Sequence, residues 1–293
     1  MALNLKTFAT RTMTAAVFVA ILLACICTNY ITFISLFFIV AIWGLHEFYQ
    51  LAEKLKAKPY KPIGYLAGIC LFSYSAVSNS SFSVYLPTDT ILAYVLIFVF
   101  FTFIIALFDD QKNTIVNITY TLTGLIYAVL PFMILVNISC MDKFYSPHAD
   151  STLWYETIAP YNFHYILGVI LLIWASDAGA YIVGSLIGKH KLYERISPGK
   201  TWEGTIGATI LTMGASFLIA HWYPELALKH WLMISMMVCI FGTIGDLVES
   251  MLKRQAGIKD SGKIMPGHGG ILDRFDSLLF VAPFIYAYMI LIK

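Results

Sequence analysis

The stretch TMTAAVFVAILLACICTNYITFISLFFIVAIWGLH, residues 12–46, contains no Asp, Glu, Lys or Arg. It is much longer than the roughly 20 apolar residues that one membrane-spanning helix needs. The polar pair Thr28 and Asn29 lies near its middle, so the pattern predicts two membrane helices with a break at that pair. The first part also resembles a signal peptide, but because apolar sequence resumes at Ile31 we expect it to remain as a helix of the protein.

Apolar sequence dominates the rest of the chain as well. Hydrophobic residues make up 59% of the 293 residues, and the mean hydropathy is +0.76. Both values exceed what a soluble domain of this size carries. Beyond residue 46, apolar runs cover residues 62–78, 90–108, 114–138, 163–184, 203–221, 230–250 and 271–292. We therefore predict an all-α, polytopic integral membrane protein with about nine transmembrane helices.

The basic residues predict the orientation of these helices. With a cytoplasmic N-terminus, all of the 19 basic residues fall in cytoplasmic segments except Lys143, Lys229 and Lys293. Such an asymmetry is typical of cytoplasmic loops, which are rich in Lys and Arg. We expect the N-terminus inside and the C-terminus outside. If residues 12–46 formed one tilted helix instead, the count would be eight and the N-terminus would move outside.

Charge is concentrated in residues 245–276, GDLVESMLKRQAGIKDSGKIMPGHGGILDRFD, although only 12% of the chain is charged. Asp246, Glu249 and Lys253 are spaced to share one helix face, which predicts an acid–base pair along a polar stripe. The glycines that follow predict a flexible loop whose backbone can approach an anion. A carboxylate at the centre of a membrane helix costs roughly 2.5 to 3.5 kcal/mol, so Asp246 needs a partner.

Carboxylates flank this glycine-rich loop on both sides, with Asp246 before it and Asp273 and Asp276 after it. Oxygen ligands suit Mg²⁺, which takes one or two protein carboxylates and leaves its other positions to water and phosphate oxygens. The arrangement predicts a divalent cation that is bound together with a polyphosphate. We predict Asp246 and Asp273 as its ligands, and a second cation is compatible with the carboxylate set.

A second functional stretch is SDAGAYIVGSLIGKHKLYERISPGKTWEG, residues 176–204. Asp177 is an acid within an apolar helix and is therefore a functional candidate. Small residues that follow it would let another helix pack closely. Ser197, Lys200 and Thr201 precede the next helix, where hydroxyls, a cation and free N–H groups predict an anion site.

The charged stretch resembles the signature of phosphatidate cytidylyltransferases, also called CDP-diacylglycerol synthases. The matching residues, in order and spacing, are Ser250, Lys253, Arg254, Lys259, Asp260, Gly262, Pro266, His268, Gly269, Gly270, Asp273, Arg274 and Asp276. Met265 is the one departure, because the family usually carries Ile, Leu or Phe there. Upstream, Ser176-Asp177 and the Ile-Ser-Pro-x-Lys-Thr segment from Ile196 resemble the same family.

This resemblance implies that CTP and phosphatidic acid react to give CDP-diacylglycerol and pyrophosphate. It implies Mg²⁺ and the lipid bilayer as partners, no nucleic acid, and an active site on the cytoplasmic side of the cell inner membrane or its equivalent. A homodimer is compatible with it. We assign phosphate binding to Lys200, Lys253, Arg254, Lys259 and Arg274. The other expected CTP-site residues are Asp177, Ser197, Thr201, Asp260, His268 and Asp276. Asp260 and Asp276 would orient the nucleotide or support the metal ligands, whereas His268 would donate to a phosphate or hold the loop.

Two other functions remain open from the sequence. A CTP-dependent polyprenol or lipid kinase needs a similar CTP site, and an ion-coupled transporter would also carry intramembrane acids. We divide the chain into N-terminal helices, residues 1–160, as a scaffold with lipid access, and catalytic helices, residues 161–293, with two charged cytoplasmic loops. His46 and Glu47 lie near the same surface and are left as either a helix end or part of a site.

Overall fold

The computed structural model describes residues 5–80, 89–110, 112–141, 161–262, 264 and 269–292. The chain forms two compact units. Unit 1 comprises Met1–Asn162 and Ala256–Asp273, and unit 2 comprises Phe163–Gln255 and Arg274–Lys293. The predicted division at residue 160 differs from this one because the glycine-rich loop belongs with the N-terminal helices.

Unit 1 is helical. Its helices are α1 (Leu5–Thr28), α2 (Tyr30–Lys54), α3 (Lys61–Ser78), α4 (Asp89–Leu107), α5 (Thr114–Gly124) and α6 (Leu130–Ser139), and a π-helical segment, Leu125–Val129, joins the last two. The predicted break between α1 and α2 is confirmed at Asn29. The Asn29 side chain accepts a hydrogen bond from Thr32 N at 2.9 Å, and the Thr32 hydroxyl accepts one from Asn29 N at 3.4 Å. This reciprocal capping starts a new helix there.

Aromatic side chains from α2 fill the centre of unit 1. Phe33, Phe37, Phe48 and Tyr49 are fully or almost fully buried. The Tyr49 hydroxyl donates to the Thr121 carbonyl at 3.0 Å, so its polar end is satisfied within this apolar core. The core therefore fixes α2, including the C-terminal part of that helix, which carries Phe48 and Tyr49.

Unit 2 contains α7 (Phe163–Ile187), α8 (Trp202–Trp222), α9 (Leu228–Met237), α10 (Thr243–Gln255) and α11 (Leu272–Leu291). The first two residues of α11 belong to unit 1. A π-helical segment, Val238–Gly242, joins α9 to α10. The charged loop after α7 is an antiparallel hairpin of β1 (Lys191–Tyr193) and β2 (Ser197–Thr201). The sequence predicted only a loop there, because strands this short show no clear alternation.

Helices α7 and α8 pack closely through small residues. A Cβ on Gly204 would lie 2.9 Å from the Ala180 carbonyl oxygen and 3.3 Å from Gly184 Cα. The predicted small-residue packing after Asp177 is therefore confirmed, because only glycine lets the two backbones approach so closely.

Seven helices among the described residues are long and apolar enough to cross a membrane. They are Tyr30–Lys54, Thr90–Leu107, Thr114–Ser139, Phe163–Ile187, Trp202–Trp222, Leu228–Gln255 and Leu272–Leu291, and Thr12–Thr28 is a shorter apolar helix. The protein is an all-α, polytopic integral membrane protein. The count of nine and the cytoplasmic N-terminus stay predictions.

Candidate active site

A cavity of about 300 Å³ with charged residues in its lining opens within unit 2. Its charged lining comes from three separate segments: Asp177 from α7, Lys200 from β2 and Asp246 from α10. Thr201 and Ser277 add hydroxyl-bearing residues to the lining. The structure thus brings together groups that lie far apart in the sequence.

Lys200 and Asp246 form the closest ionic contact of this cavity. Lys200 Nζ lies 2.5 Å from Asp246 Oδ2, and it also reaches the Thr243 carbonyl at 3.5 Å. The two side chains retain 25% and 33% of their exposure, so the pair remains accessible from the cavity. Asp246 therefore has the cationic partner that its position in an apolar helix required.

Three carboxylates interact electrostatically in this part of unit 2. Asp246 repels both Asp177 and Asp276, while Lys200 attracts both, and Arg274 also attracts Asp177. The cluster favours a bound cation, and its oxygen donors are those that Mg²⁺ prefers. Across the described ranges, no three or more His, Cys, Asp or Glu side chains converge tightly enough to hold a metal unaided. Mg²⁺ would fit here through one or two carboxylates, with water or phosphate oxygens completing its coordination.

Local backbone structure sets the position of Asp246. The π-helical segment Val238–Gly242 precedes α10, and the Gly242 carbonyl accepts a hydrogen bond from the Ser277 hydroxyl at 3.3 Å. A Cβ on Gly245 would lie 2.6 Å from the Asp276 carbonyl oxygen, so α10 and α11 pack closely beside the carboxylates. Such π-helical segments occur frequently at functional sites.

Thr201 has a structural role at the cavity wall. Its hydroxyl accepts a hydrogen bond from Gly204 N at 3.1 Å and so caps the N-terminus of α8. Ser197, by contrast, lies at the start of β2 and does not line the cavity. The hairpin therefore brings Lys200 to the cavity while Thr201 starts the following helix.

The polar face of α10 continues beyond Asp246. Lys253 Nζ lies 3.0 Å from Glu249 Oε2, and both side chains are largely buried. The predicted acid–base pair is confirmed. The Ser250 hydroxyl donates to Asp246 Oδ1 at 3.2 Å, so it adds a second contact to that carboxylate.

The glycine-rich loop has its own anchor within unit 1, the carboxylate of Glu47. Glu47 is 2% exposed. Its Oε1 accepts from Ile271 N at 2.9 Å, and its Oε2 accepts from Leu272 N at 3.0 Å and lies 2.8 Å from the Ser261 hydroxyl. These contacts join α2 to the residues on either side of the segment 262–270.

Asp273 lies beside the same anchor. Its Oδ2 accepts from Gly270 N at 2.7 Å and from Ser261 N at 2.8 Å, and it lies 3.0 Å from the Ser261 hydroxyl. That hydroxyl is therefore within hydrogen-bonding distance of two carboxylates, Asp273 and Glu47, and its single proton is shared between them. Asp273 organises the loop within unit 1.

A second cavity, of about 610 Å³, lies within unit 1 next to this loop. Lys259 and Asp260 line it from the loop side, and His46 and Gln50 line it from α2. The ring nitrogens of His46 lie 2.7 Å from the Tyr65 hydroxyl and 2.9 Å from Gln50 Nε2. The exposed Lys259 and Asp260 therefore face a polar wall that α2 supplies.

A model of the cytidylyltransferase family matches residues 9–292 of the chain. The chain belongs to this family. The match includes both units, and it covers Glu47 and the N-terminal helices as well as the charged stretches that resembled the family signature.

Several curated relatives are named phosphatidate cytidylyltransferase. The protein of Staphylococcus haemolyticus is 52% identical over 122 residues, which are 41% of this chain and 46% of that protein. The protein of Staphylococcus saprophyticus is 50% identical over 131 residues, 44% of this chain and 50% of that protein. The protein of Staphylococcus aureus strain COL is 46% identical over 132 residues, with the same two shares. The chain spans about half the length of the curated relatives it matches.

The predicted site residues fall into two groups. Unit 2 holds Asp177, Ser197, Lys200, Thr201, Asp246, Lys253, Arg254, Arg274 and Asp276, and unit 1 holds Lys259, Asp260 and Asp273. His268 lies outside the described residues. The predicted metal ligands Asp246 and Asp273 belong to different units, and their joint role stays a prediction.

The sequence interpretation did not assign two residues that the structure places beside the signature, Glu47 and Ser261. Glu47 follows a long apolar run within α2, and an acid in that position is unusual in a membrane helix. The sequence therefore contained a signal for Glu47. It contained none for the contact with Ser261, because 214 positions separate the two residues.

Proposed function

We propose that the protein transfers the cytidylyl group of CTP to phosphatidic acid and releases pyrophosphate, which yields CDP-diacylglycerol. The observation that carries this proposal is the cavity of unit 2, where Lys200 and the acids Asp177 and Asp246 converge from three segments. A cation beside paired carboxylates suits a polyphosphate bound with a divalent metal. Family membership and the printed name of the relatives support the choice of cytidylyl transfer.

The proposed reaction needs positioning more than acid–base chemistry. An oxygen of the lipid phosphate attacks the α-phosphorus of CTP and forms a new P–O bond. The bond from the α-phosphorus to the oxygen that bridges to the β-phosphorus breaks, and its electron pair leaves with pyrophosphate. A phosphate monoester carries between one and two negative charges near pH 7, because its second pKa is about 6, so its oxygens are already nucleophilic.

The residues of unit 2 would orient the nucleotide in this reaction. Lys200 would contact a phosphate oxygen as a point charge, and the exposed Arg254 and Arg274 are suited to bidentate contacts. Lys253 is already paired with Glu249, which lies one turn earlier on the same helix. We therefore assign Lys253 a weaker share of phosphate binding than Lys200.

Mg²⁺ is the proposed cofactor, and it would neutralise charge on the leaving pyrophosphate when bound. We propose Asp246 as one ligand. Asp273 is the partner proposed from the sequence, and Asp177 and Asp276 are the carboxylates that interact with Asp246 inside unit 2. Replacing Asp273 would weaken magnesium binding if Asp273 is the second ligand, and replacing Asp177 or Asp276 would do so if one of those is. Variants of the three residues therefore separate the pairings.

We propose that the active site faces the cytoplasm, because that orientation puts the Lys- and Arg-rich segments inside. CTP would then reach the cavity from the aqueous side, whereas phosphatidic acid would enter from the bilayer. Lys259 and Asp260, which line the cavity of unit 1, would add further polar contacts to a substrate. A homodimer stays a prediction.

Label transfer from CTP tests this proposal. The purified protein in mixed micelles receives CTP labelled at the α-phosphate, with and without phosphatidic acid and Mg²⁺. We expect label in the lipid only when both are present, with release of unlabelled pyrophosphate. A parallel sample carries the label at the γ-phosphate, and label in the lipid of that sample would indicate a kinase instead. No transfer from either nucleotide by a folded protein would overturn the proposal.

A further inference from the structure

Glu47 is a buried acid of α2 that the proposed reaction does not use directly. Its carboxylate contacts Ser261 within the glycine-rich loop and Ile271 and Leu272 where that loop enters α11. We infer that Glu47 is a positioning residue whose carboxylate closes this loop and holds it in its active arrangement. The catalytic part of this inference rests on the proposed function.

The donors around Glu47 engage both oxygens of its carboxyl group. Ile271 N and Leu272 N lie at the N-terminus of α11, where the first N–H groups of a helix have no acceptor within the helix itself. A negative charge at this end is also favoured by the helix dipole. Glu47 therefore caps α11 from a position 225 residues away in the chain. A glutamine would turn an NH₂ group towards at least one of these donors, because its amide has only one oxygen.

Two signature glycines make room for this carboxylate. A Cβ on Gly262 would overlap Glu47 Oε1, and a Cβ on Gly270 would overlap Glu47 Oε2 and the Ser261 hydroxyl. Neither glycine needs a left-handed backbone, in contrast to Gly269, whose φ is +80°. The structure therefore explains Gly262 and Gly270 by the position of Glu47 and not by loop flexibility.

The closed loop fixes several polar groups of the signature. Ser261 connects Glu47 to Asp273, and Lys259 and Asp260 immediately precede Ser261 at the edge of the unit 1 cavity. If the Glu47 contacts are lost, Ser261 and the backbone N–H groups of Ile271 and Leu272 lose an acceptor at once. Side chains that must orient a substrate would then sample many positions, and displacements of about 1 Å can cost roughly 100-fold in rate.

The test compares Glu47→Gln with Glu53→Gln. Glu53 lies on the same helix, has a side chain that is 47% exposed and pairs with Lys61 at 2.7 Å, so its replacement controls for the loss of an acid and its surface ion pair. Hydrogen–deuterium exchange of the purified full chain in micelles follows the peptide that carries Ile271 and Leu272. We expect exchange there to be roughly 5- to 10-fold faster in Glu47→Gln, because at least one of these backbone N–H groups loses its acceptor. Exchange elsewhere and the melting temperature should match those of Glu53→Gln.

Kinetics provide the second readout. We expect kcat of Glu47→Gln to fall roughly 10- to 100-fold, with a much smaller change in KM for CTP, because the loop is displaced but the unit 2 cavity is intact. Unchanged exchange in the folded variant would overturn the inference. Faster exchange with a normal kcat would also overturn it. Faster exchange throughout the chain, together with a lower melting temperature, would overturn it as well, because that pattern indicates general destabilisation.

A glycine variant tests the same contact if Glu47→Gln does not fold. Gly262→Ala pushes directly on Glu47 Oε1, whereas Gly214→Ala, on α8, adds a methyl group with nothing within 4 Å. We expect local exchange to rise in Gly262→Ala alone, and equal exchange in the two variants would count against the inference. If wild-type protein forms no CDP-lipid, the proposed function fails, but the exchange measurements need no substrate and still decide the role of Glu47.

Discussion

Glu47 in unit 1 and Asp246 in unit 2 are both acids of membrane helices, yet their surroundings differ. Glu47 is 2% exposed and meets two backbone N–H groups and a hydroxyl. Asp246 keeps 33% of its side-chain exposure and meets one lysine, one hydroxyl and the negative charges of two further carboxylates. A complete set of donors indicates a structural role. Clustered carboxylates with few cations indicate a site that a ligand completes.

Asp246→Asn should have the largest effect on activity, because it removes a carboxylate from the cluster that we propose for Mg²⁺. We expect label transfer from CTP to fall by about 100-fold or more. The free energy of unfolding should change by only about 1 kcal/mol, because the Lys200 pair is partly exposed. Glu225→Gln in the same unit is the control. It keeps an acceptor for the His164 ring, which lies 2.6 Å from Glu225, and should retain wild-type transfer. Normal activity in Asp246→Asn would show that the metal assignment is wrong.

Asp273→Asn should lower kcat roughly 10- to 100-fold, because a neutral amide oxygen accepts the hydrogen bonds that now end on Oδ2 less strongly than a carboxylate oxygen does. The dependence of the rate on magnesium concentration then separates two roles. A metal ligand would require more Mg²⁺ for half-maximal rate, whereas a group that only organises the loop would leave that concentration unchanged. Asp110→Asn, at an exposed position of unit 1, serves as the control. It should match wild type in kcat and in the magnesium concentration that gives the half-maximal rate. Full activity in Asp273→Asn would contradict both roles.

Lys200→Met should weaken the fold as well as the reaction, because three carboxylates lose a shared cation. We expect the melting temperature to fall by an amount that corresponds to about 1 kcal/mol, and adding Asp246→Asn should recover part of it. Thermal unfolding of the two single variants and the double variant in micelles measures this coupling. Strictly additive changes would mean that the Lys200–Asp246 contact contributes nothing to stability.

Lys229→Ala should have the smallest effect. The predicted topology places Lys229 outside, on the opposite side from the proposed CTP site, so label transfer should stay near the wild-type rate. Lys200→Met in the same assay gives the contrasting loss. A severe loss in Lys229→Ala would mean that the predicted orientation is reversed.

Hydropathy predicted the helical architecture because a membrane requires long apolar runs with polar ends. Asn29 illustrates this success: a polar residue inside an apolar run predicted a helix break, and its side chain caps α2. Helical spacing likewise predicted an acid–base pair on α10, and the structure shows that Glu249 is the acid that pairs with Lys253. Local patterns of this kind depend only on nearby residues.

Long-range geometry could not be predicted in the same way. Lys200 and Asp246 stand 46 positions apart, and nothing in their local sequences indicates a contact of 2.5 Å. The contact of Glu47 with the loop could not be predicted either, because it depends on how α2 packs and not on the residues next to Glu47. The hairpin that brings Lys200 to the cavity was also missed, because three-residue β1 offers no periodic signal.

The π-helical segment Val238–Gly242 limits which insertions and deletions this chain can tolerate. Each residue of an α-helix turns the chain by about 100°, since 3.6 residues complete a turn. Deleting one residue from this segment would leave the hydropathy profile almost unchanged, and the helix could still insert into a membrane. Its carboxylate face would nevertheless point in a different direction. Chain length at this position therefore sets the direction in which the Asp246 carboxylate points.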